Sequence, residues 1–190
     1  MTFWEQFDNE WAPKLGMRMP TFRAVLREAQ FRNVKSIVET GSVRQDQNWD
    51  GDGQSTVMLA EFAKERGGFM TTVDIAREAT DLARQLVPTA MVHCGDSVKY
   101  LSKIGRQIDL LYLDSYDVDM STPHPAALHC LMELTAAQPF LHAGSIVFVD
   151  DSPMNSTMEV GGKGLYVAQY FRQLGIMPFT FGYQAAWIVP

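Results

Sequence analysis

Five short apolar runs rich in β-branched residues recur along this chain with helical stretches between them, and that alternation constrains its fold more than any other feature. The runs are Ser36-Ile37-Val38-Glu39, Met70 to Ile75, Ala90 to Cys94, Ile108 to Leu113 and Ser145 to Val149. Continuous apolar runs of this length suit strands buried on both faces of a parallel sheet, where a crossover, usually a helix, must join parallel neighbours. Segments near 54–66, 76–86, 97–104, 124–140 and 164–174 fit those helices, with Gly67, Gly105 and Gly175 as helix-ending residues. Met177 to Tyr183 and Ala185 to Val189 are nearly adjacent strand-like runs that predict a closing hairpin. Upstream, Phe3, Phe7 and Trp11 fall at helical spacing, and a second helix is expected near residues 20–31.

The predicted fold is therefore α/β: a Rossmann-like, doubly wound, seven-stranded and mostly parallel sheet with an antiparallel C-terminal hairpin strand and a short N-terminal helical cap. Residues 1–34 make the cap and residues 35–190 the main unit, together one structural domain, for which 46% hydrophobic content supplies ample core. The cap helices either pack on their own sheet or form the contact of a homodimer. A net charge of −6 argues against a nucleic-acid partner, since phosphate contacts need clustered Lys and Arg. Cys94 and Cys130 are too few for a disulfide framework or a four-ligand zinc site and read as reduced core thiols. With neither a signal-like start nor a membrane-length apolar run, the expected location is cytoplasmic, away from membranes.

In an open parallel sheet, ligands bind beyond the carboxyl ends of the strands. Here those ends are acidic: Glu39-Thr40-Gly41-Ser42, Asp74-Ile75, Gly95-Asp96-Ser97, Asp114-Ser115 and Asp150-Asp151. A carboxylate ending the second strand can accept from both ribose hydroxyls of a nucleoside, which makes Asp74 a binding candidate. Gly41 and Gly53 let the backbone approach a ligand closely, and a helix starting near Gln54-Ser55-Thr56 offers free N–H groups beside it. Acids and serines after strands also cap helices, and for Asp96 and Ser97 both readings stand.

Taken in order, Val38-Glu39-Thr40-Gly41, Val73-Asp74-Ile75, Cys94-Gly95-Asp96-Ser97 and Asp109-Leu110-Leu111-Tyr112-Leu113-Asp114 resemble class I S-adenosylmethionine-dependent methyltransferases over residues 35–190. The resemblance implies S-adenosylmethionine as cofactor. Glu39, Thr40, Gly41 and Ser42 would flank its methionine part, Asp74 and Ile75 would meet the ribose, and Gly95, Asp96 and Ser97 would lie by the adenine. Gly53, Ser55, Thr56 and Asp114 complete the expected cofactor site. The family's compact Gly-x-Gly turn is interrupted here by Val43 to Asp52, a stretch that carries Arg44, Asp46, Asp50 and Asp52. Trp49 within it either stacks on a ligand or anchors a surface loop.

Asp114, Asp150 and Asp151 end strands that should be neighbours, and converging carboxylates repel unless something neutralises them. The pattern looks like metal-dependent, macrocin-type O-methyltransferases acting on antibiotic sugars, which implies Mg²⁺ on these three residues, with Ca²⁺ or Mn²⁺ as alternatives. The implied acceptor is an oxygen of a small molecule such as a sugar or polyol. Alternatively, Asp150-Asp151 simply opens a turn before Pro153, and the chain is a metal-independent N- or protein methyltransferase or a non-catalytic cofactor-binding module. Asp114 and His124 are the candidate catalytic proton acceptors, whereas His129 reads as packed on its helix. Gly161-Gly162-Lys163-Gly164 lacks P-loop spacing and reads as a lid, its Lys163 either solvated at a helix start or in contact with an anionic acceptor.

Overall fold

The computed structural model describes residues 1–49 and 54–190 of the chain. Its strands are β1 (Ser36–Thr40), β2 (Phe69–Asp74), β3 (Met91–Cys94), β4 (Ile108–Leu113), β5 (Leu141–Val149), β6 (Thr180–Phe181) and β7 (Ala185–Ile188). They form one sheet in the order β3-β2-β1-β4-β5-β7-β6. The first five are parallel, β7 runs antiparallel to β5, and β6 antiparallel to β7. The helices are α1 (Phe3–Gln6), α2 (Met19–Phe31), α3 (Ser55–Glu65), α4 (Arg77–Leu86), α5 (Ser97–Leu101), α6 (His124–Ala137) and α7 (Leu165–Gln173). This is the Rossmann-like architecture expected from the sequence. Among the described residues, no helix is long and apolar enough to cross a membrane.

Strand side chains alternate between two cores, as the pleat requires. Ile37, Leu110, Tyr112, Ile146 and Phe148 point into one, where they meet Phe3, Phe7, Trp11 and Phe22 of the cap and Met58 and Phe62 of α3. Val38, Leu111, Leu113, Val147 and Val149 point into the other, with Leu101, Leu134 and Phe171 from α5, α6 and α7. The cap therefore packs on its own sheet, and Phe22 stands edge-on to Phe148 with ring centres 5.2 Å apart. Several elements are shorter than expected, among them the helix from Ser97, which ends at Leu101. The helix from His124 stops at Ala137 and tightens into a 3₁₀ turn over Gln138–Phe140, because Pro139 has no N–H for the α-helical ladder. The hairpin pairs only over Thr180–Phe181 on its first arm, and Tyr183 instead turns its hydroxyl onto Asp151.

The carboxyl ends of the inner strands are held level by backbone hydrogen bonds: Gly41 N–H to the Val73 carbonyl at 2.8 Å, Asp114 N–H to Thr40 at 2.9 Å and Asp150 N–H to Leu113 at 3.1 Å. Between β1 and β4 the strand order reverses, which opens the crevice. Gly41 sits there at φ +81°, and a Cβ on it would lie 2.5 Å from the Asp114 carbonyl oxygen. Only glycine lets the two strand ends come this close.

Candidate active site

Two adjoining cavities open above the strand ends and share Asp74, Ile75 and Ser115 in their walls. The larger, about 780 Å³ when the space that opens to solvent is counted, is lined by Arg18, Gly41, Ser42, Ser55, Asp114, Asp150, Asp151 and Lys163. The smaller, about 580 Å³ on the same count, is lined by Gly95, Asp96, Ser97, Tyr116 and His129. Together they have room for a nucleoside with a substituent.

Asp74, at the junction, ends β2. Its Oδ2 accepts the Ser42 N–H at 2.8 Å and its Oδ1 the Ala76 N–H at 2.8 Å. A carboxylate has about four acceptor positions, so these two bonds fix the side chain and leave each oxygen capacity toward the cleft. Ile75 beside it is 78% exposed, an apolar side chain left in the wall shared by both cavities. Asp96 both caps a helix and lines a cavity wall. It accepts the Lys99 N–H at 2.7 Å as the cap of α5 while facing the smaller cavity.

Glu39, Thr40 and Thr56, expected at the cofactor, are instead buried beneath the floor and line neither cavity. Glu39 Oε1 accepts Ser55 Oγ at 2.6 Å, and Oε2 accepts the hydroxyls of Thr56 and Thr72 at 2.7 Å each. Thr56 Oγ1 in turn accepts the Val43 N–H at 3.0 Å. Glu39 thus ties the first turn of α3 to β2 and the loop after β1, a positioning role. Gly53, together with Asp50 and Asp52, lies outside the described residues. Trp49 is the buried anchor of its loop, its ring 6.2 Å from that of Trp11.

Burial pushes the Glu39 carboxyl up from 4.5 to about 7, against the three hydroxyls that donate to it. A carboxyl whose folded value is raised stabilises the fold below its unfolded value and loses that contribution as pH rises through the folded one. Measured against Glu39→Gln, the wild type is therefore expected to lose stability between about pH 4.5 and 7, by roughly 3 kcal/mol. Urea unfolding at several pH values checks this, and parallel pH profiles for the two proteins would refute it.

Asp114, Asp150 and Asp151 do converge, each offering an oxygen within 4.8 Å of the others. Two cations already stand among them. Arg18, reaching across from the cap, places Nε 3.0 Å from Asp150 Oδ2 and a terminal nitrogen 3.2 Å from Asp151 Oδ1. Lys163 places Nζ 2.6 Å from Asp114 Oδ1 and 3.0 Å from Asp151 Oδ2. Tyr183 donates its hydroxyl to Asp151 Oδ1 at 2.6 Å. Lys163, expected to be solvated, is only 3% exposed.

Burial, reinforced by Asp150 and Asp151, holds the Asp114 carboxyl well above the usual range despite Lys163. Burial would also raise Asp151, but Lys163, Tyr183 and Arg18 outweigh it and hold that carboxyl low. Although burial alone would discharge Lys163, the surrounding carboxylates keep it an ammonium. A divalent ion on the three carboxylates would have to displace that ammonium from two of them. The oxygen donors are in place, but with Lys163 among them the residues do not fit a resident metal, and the Mg²⁺ expected on Asp114, Asp150 and Asp151 meets a lysine there.

His124, the other catalytic candidate, pairs its Nδ1 with the Tyr166 hydroxyl at 2.7 Å and lines neither cavity. His129 does more than pack on its helix. Its Nε2 is 3.3 Å from Ser97 Oγ and 3.4 Å from Glu133 Oε1, and it faces the smaller cavity. The hydrogen bond to Glu133 raises its pKa despite partial burial.

A family described as "Methyltransferase domain" matches residues 51–152 of the chain. No curated protein matches it. Among solved structures, the chain is similar to the MycE methyltransferase from the mycinamycin biosynthetic pathway in complex with Mg and SAH, at a TM-score of 0.65 and 14% identity, covering 99% of this chain and 54% of that one. It is also similar to CalS11, a TDP-rhamnose 3'-O-methyltransferase in calicheamicin biosynthesis, at a TM-score of 0.59 and 17% identity over 97% of this chain and 86% of that one. The ribosomal protein L11 methylase of Lactobacillus delbrueckii subsp. bulgaricus gives a TM-score of 0.55 at 12% identity, over 90% of this chain and 78% of that one. The chain spans little more than half the length of the first structures it matches, 56%, 51% and 53%. At such identities the likeness establishes the fold, and one fold carries sugar and protein acceptors alike.

Proposed function

The chain belongs to the methyltransferase-domain family, and on that premise we propose that it transfers the methyl group of S-adenosylmethionine to an oxygen of a small molecule such as a sugar or polyol. The observation that carries this reading is Asp74, whose carboxylate stands where the two cavities join, pinned by two backbone N–H groups with acceptor capacity left for a ribose. The adenine would then lie in the smaller cavity against Ile75, Gly95, Ser97 and His129. The methionine part would lie in the larger one along Gly41 and Ser42.

S-adenosylmethionine, when bound, supplies an electrophilic methyl group. The chain's own task is to hold an acceptor hydroxyl in line with it and to remove the proton. We assign both to Asp114, which lines the larger cavity. Its raised pKa suits it to take a proton, and with Oδ1 held by Lys163, Oδ2 is the oxygen left to receive it. No step in this reading passes through a metal ion.

Incubation with S-adenosylmethionine carrying a ¹³C-labelled methyl group and a panel of sugars, polyols, amines and peptides tests the proposal. Carbon NMR separates O-methyl from N-methyl products. An O-methyl product that persists in the presence of a chelator is the expected result. A second reading, a nitrogen acceptor, draws support from the larger cavity, where Asp74, Asp114, Asp117, Asp150 and Asp151 outnumber Arg18, Arg44 and Lys163. An N-methyl product alone would establish it in place of the first. Cofactor binding without transfer to any acceptor would reduce the chain to a cofactor-binding module.

A further inference from the structure

The Gly-Gly-Lys-Gly run lacks the spacing of a P-loop, yet the backbone there is tightly specified. Gly162 is at φ +53°, and a Cβ on it would fall 1.8 Å from the Asp151 carbonyl oxygen. A Cβ on Gly164 would meet Ser152 Oγ at 2.6 Å. The next amide, Lys163 N–H, donates to that same Asp151 carbonyl at 3.0 Å. Two glycines thus let the loop fold back under the end of β5, and the residue delivered into the acidic cluster is Lys163. Its ammonium has three N–H donors and three oxygens within reach: Asp114 Oδ1 at 2.6 Å, Asp151 Oδ2 at 3.0 Å and the Asp114 carbonyl at 3.4 Å. The side chain is 4% exposed, so little of it is left for solvent or for an anionic ligand.

We propose that Lys163 is the resident cation of this cluster, a covalently held ammonium that stands between Asp114 and Asp151 where a divalent ion would otherwise bind. Arg18 serves Asp150 and the far side of Asp151, so each of the three carboxylates has a cationic partner within the chain. An ion entering the cluster would share ligand oxygens with the ammonium and be repelled by it. Lys163 is in this sense a positioning residue, fixing Asp114 through its Oδ1. The link to methyl transfer rests on the function proposed above, whereas the occupancy of the cluster does not.

The test is titration of Mn²⁺ followed by electron paramagnetic resonance of the free ion, on the wild type, Asp150→Asn, Lys163→Met and Lys163→Met with Asp150→Asn. The wild type is expected to leave the free-ion signal unchanged. Lys163→Met is expected to gain a site, with Kd tightened by roughly tenfold or more, and the added Asp150→Asn to lose it again. Wild-type binding that Asp150→Asn abolishes would overturn the proposal, as would a folded Lys163→Met that binds no Mn²⁺. Should Lys163→Met not fold alone, refolding with and without Mn²⁺ decides: recovery with the ion supports a vacated cation site, and no recovery counts against it. Calorimetric binding of S-adenosylhomocysteine by the same preparations reports on the methyl-transfer reading separately.

Discussion

Asp74→Ala is expected to lose calorimetric binding of S-adenosylmethionine and of S-adenosylhomocysteine, with Kd weakened by roughly 100-fold or more. The carboxylate would give up two hydrogen bonds to ribose hydroxyls, and hydrogen bonds to a charged acceptor contribute about 1.5–3 kcal/mol each. Two of them exceed the roughly 2.7 kcal/mol that a 100-fold change represents. The variant also strips the acceptor from the N–H groups of Ser42 and Ala76, so the loop after β1 and the start of α4 lose a shared anchor. Asp74→Asn separates the two effects. An amide fills the same space but brings a donor where only donors face it, so it should bind worse than the wild type and better than Asp74→Ala. Binding by Asp74→Ala within a few-fold of wild type would remove Asp74 from the ribose and with it the placement of the cofactor across the two cavities.

Gly162→Ala should be the most destabilising single-methyl change among the glycines considered. The left-handed backbone costs an alanine about 1–2 kcal/mol, and a Cβ placed 1.8 Å from a backbone oxygen forces either the loop or β5 to move. Overpacking of that kind typically adds about 1–3 kcal/mol. For a domain of this size, a total near 3 kcal/mol corresponds to a fall in Tm of about 10 °C. Gly67→Ala is the matched control, because Gly67 is also left-handed, at φ +65°, but has no atom within 4 Å of its would-be Cβ. Its Tm should fall by only about half as much, the backbone term alone. Equal losses for the two variants in thermal unfolding would show that the contact with Asp151 is not what holds the loop in place.

The sheet was legible in the sequence because strands buried on both faces leave near-continuous apolar runs, and because each run here stops at a glycine or an acid where the crevice begins. Asp74, Ser42, Gly95 and Ser97 were legible for the same reason, since position after a strand places them whatever the loops do. Glu39 was misplaced because strand-end position does not say which way a side chain points. Three hydroxyls from β2 and α3 take it inward, and their convergence depends on tertiary register. Arg18 and Lys163 were missed as site residues. Arg18 is separated from Asp150 by 132 residues and comes from a cap whose path over the sheet no local pattern encodes. Lys163 had a readable signal, two glycines framing a single lysine shortly after an Asp-Asp pair, but that spacing is shared by solvated loops.

Asp151 receives a guanidinium from near the start of the described chain and a phenol from near its end, Arg18 and Tyr183, and these two also stack with the guanidinium carbon 4.7 Å from the ring centre. On the ribosome, residue 18 emerges early and waits through most of translation before residue 183 arrives to complete the pair. A nascent chain released short of its last hairpin would lack Trp187, a fully buried side chain stacked on Phe171, and would leave the β5 edge unpaired, so the core and the acidic cleft would both be incomplete. Stalled or truncated products of this protein should therefore expose the apolar face that Trp187 covers, which quality control based on such surface would recognise.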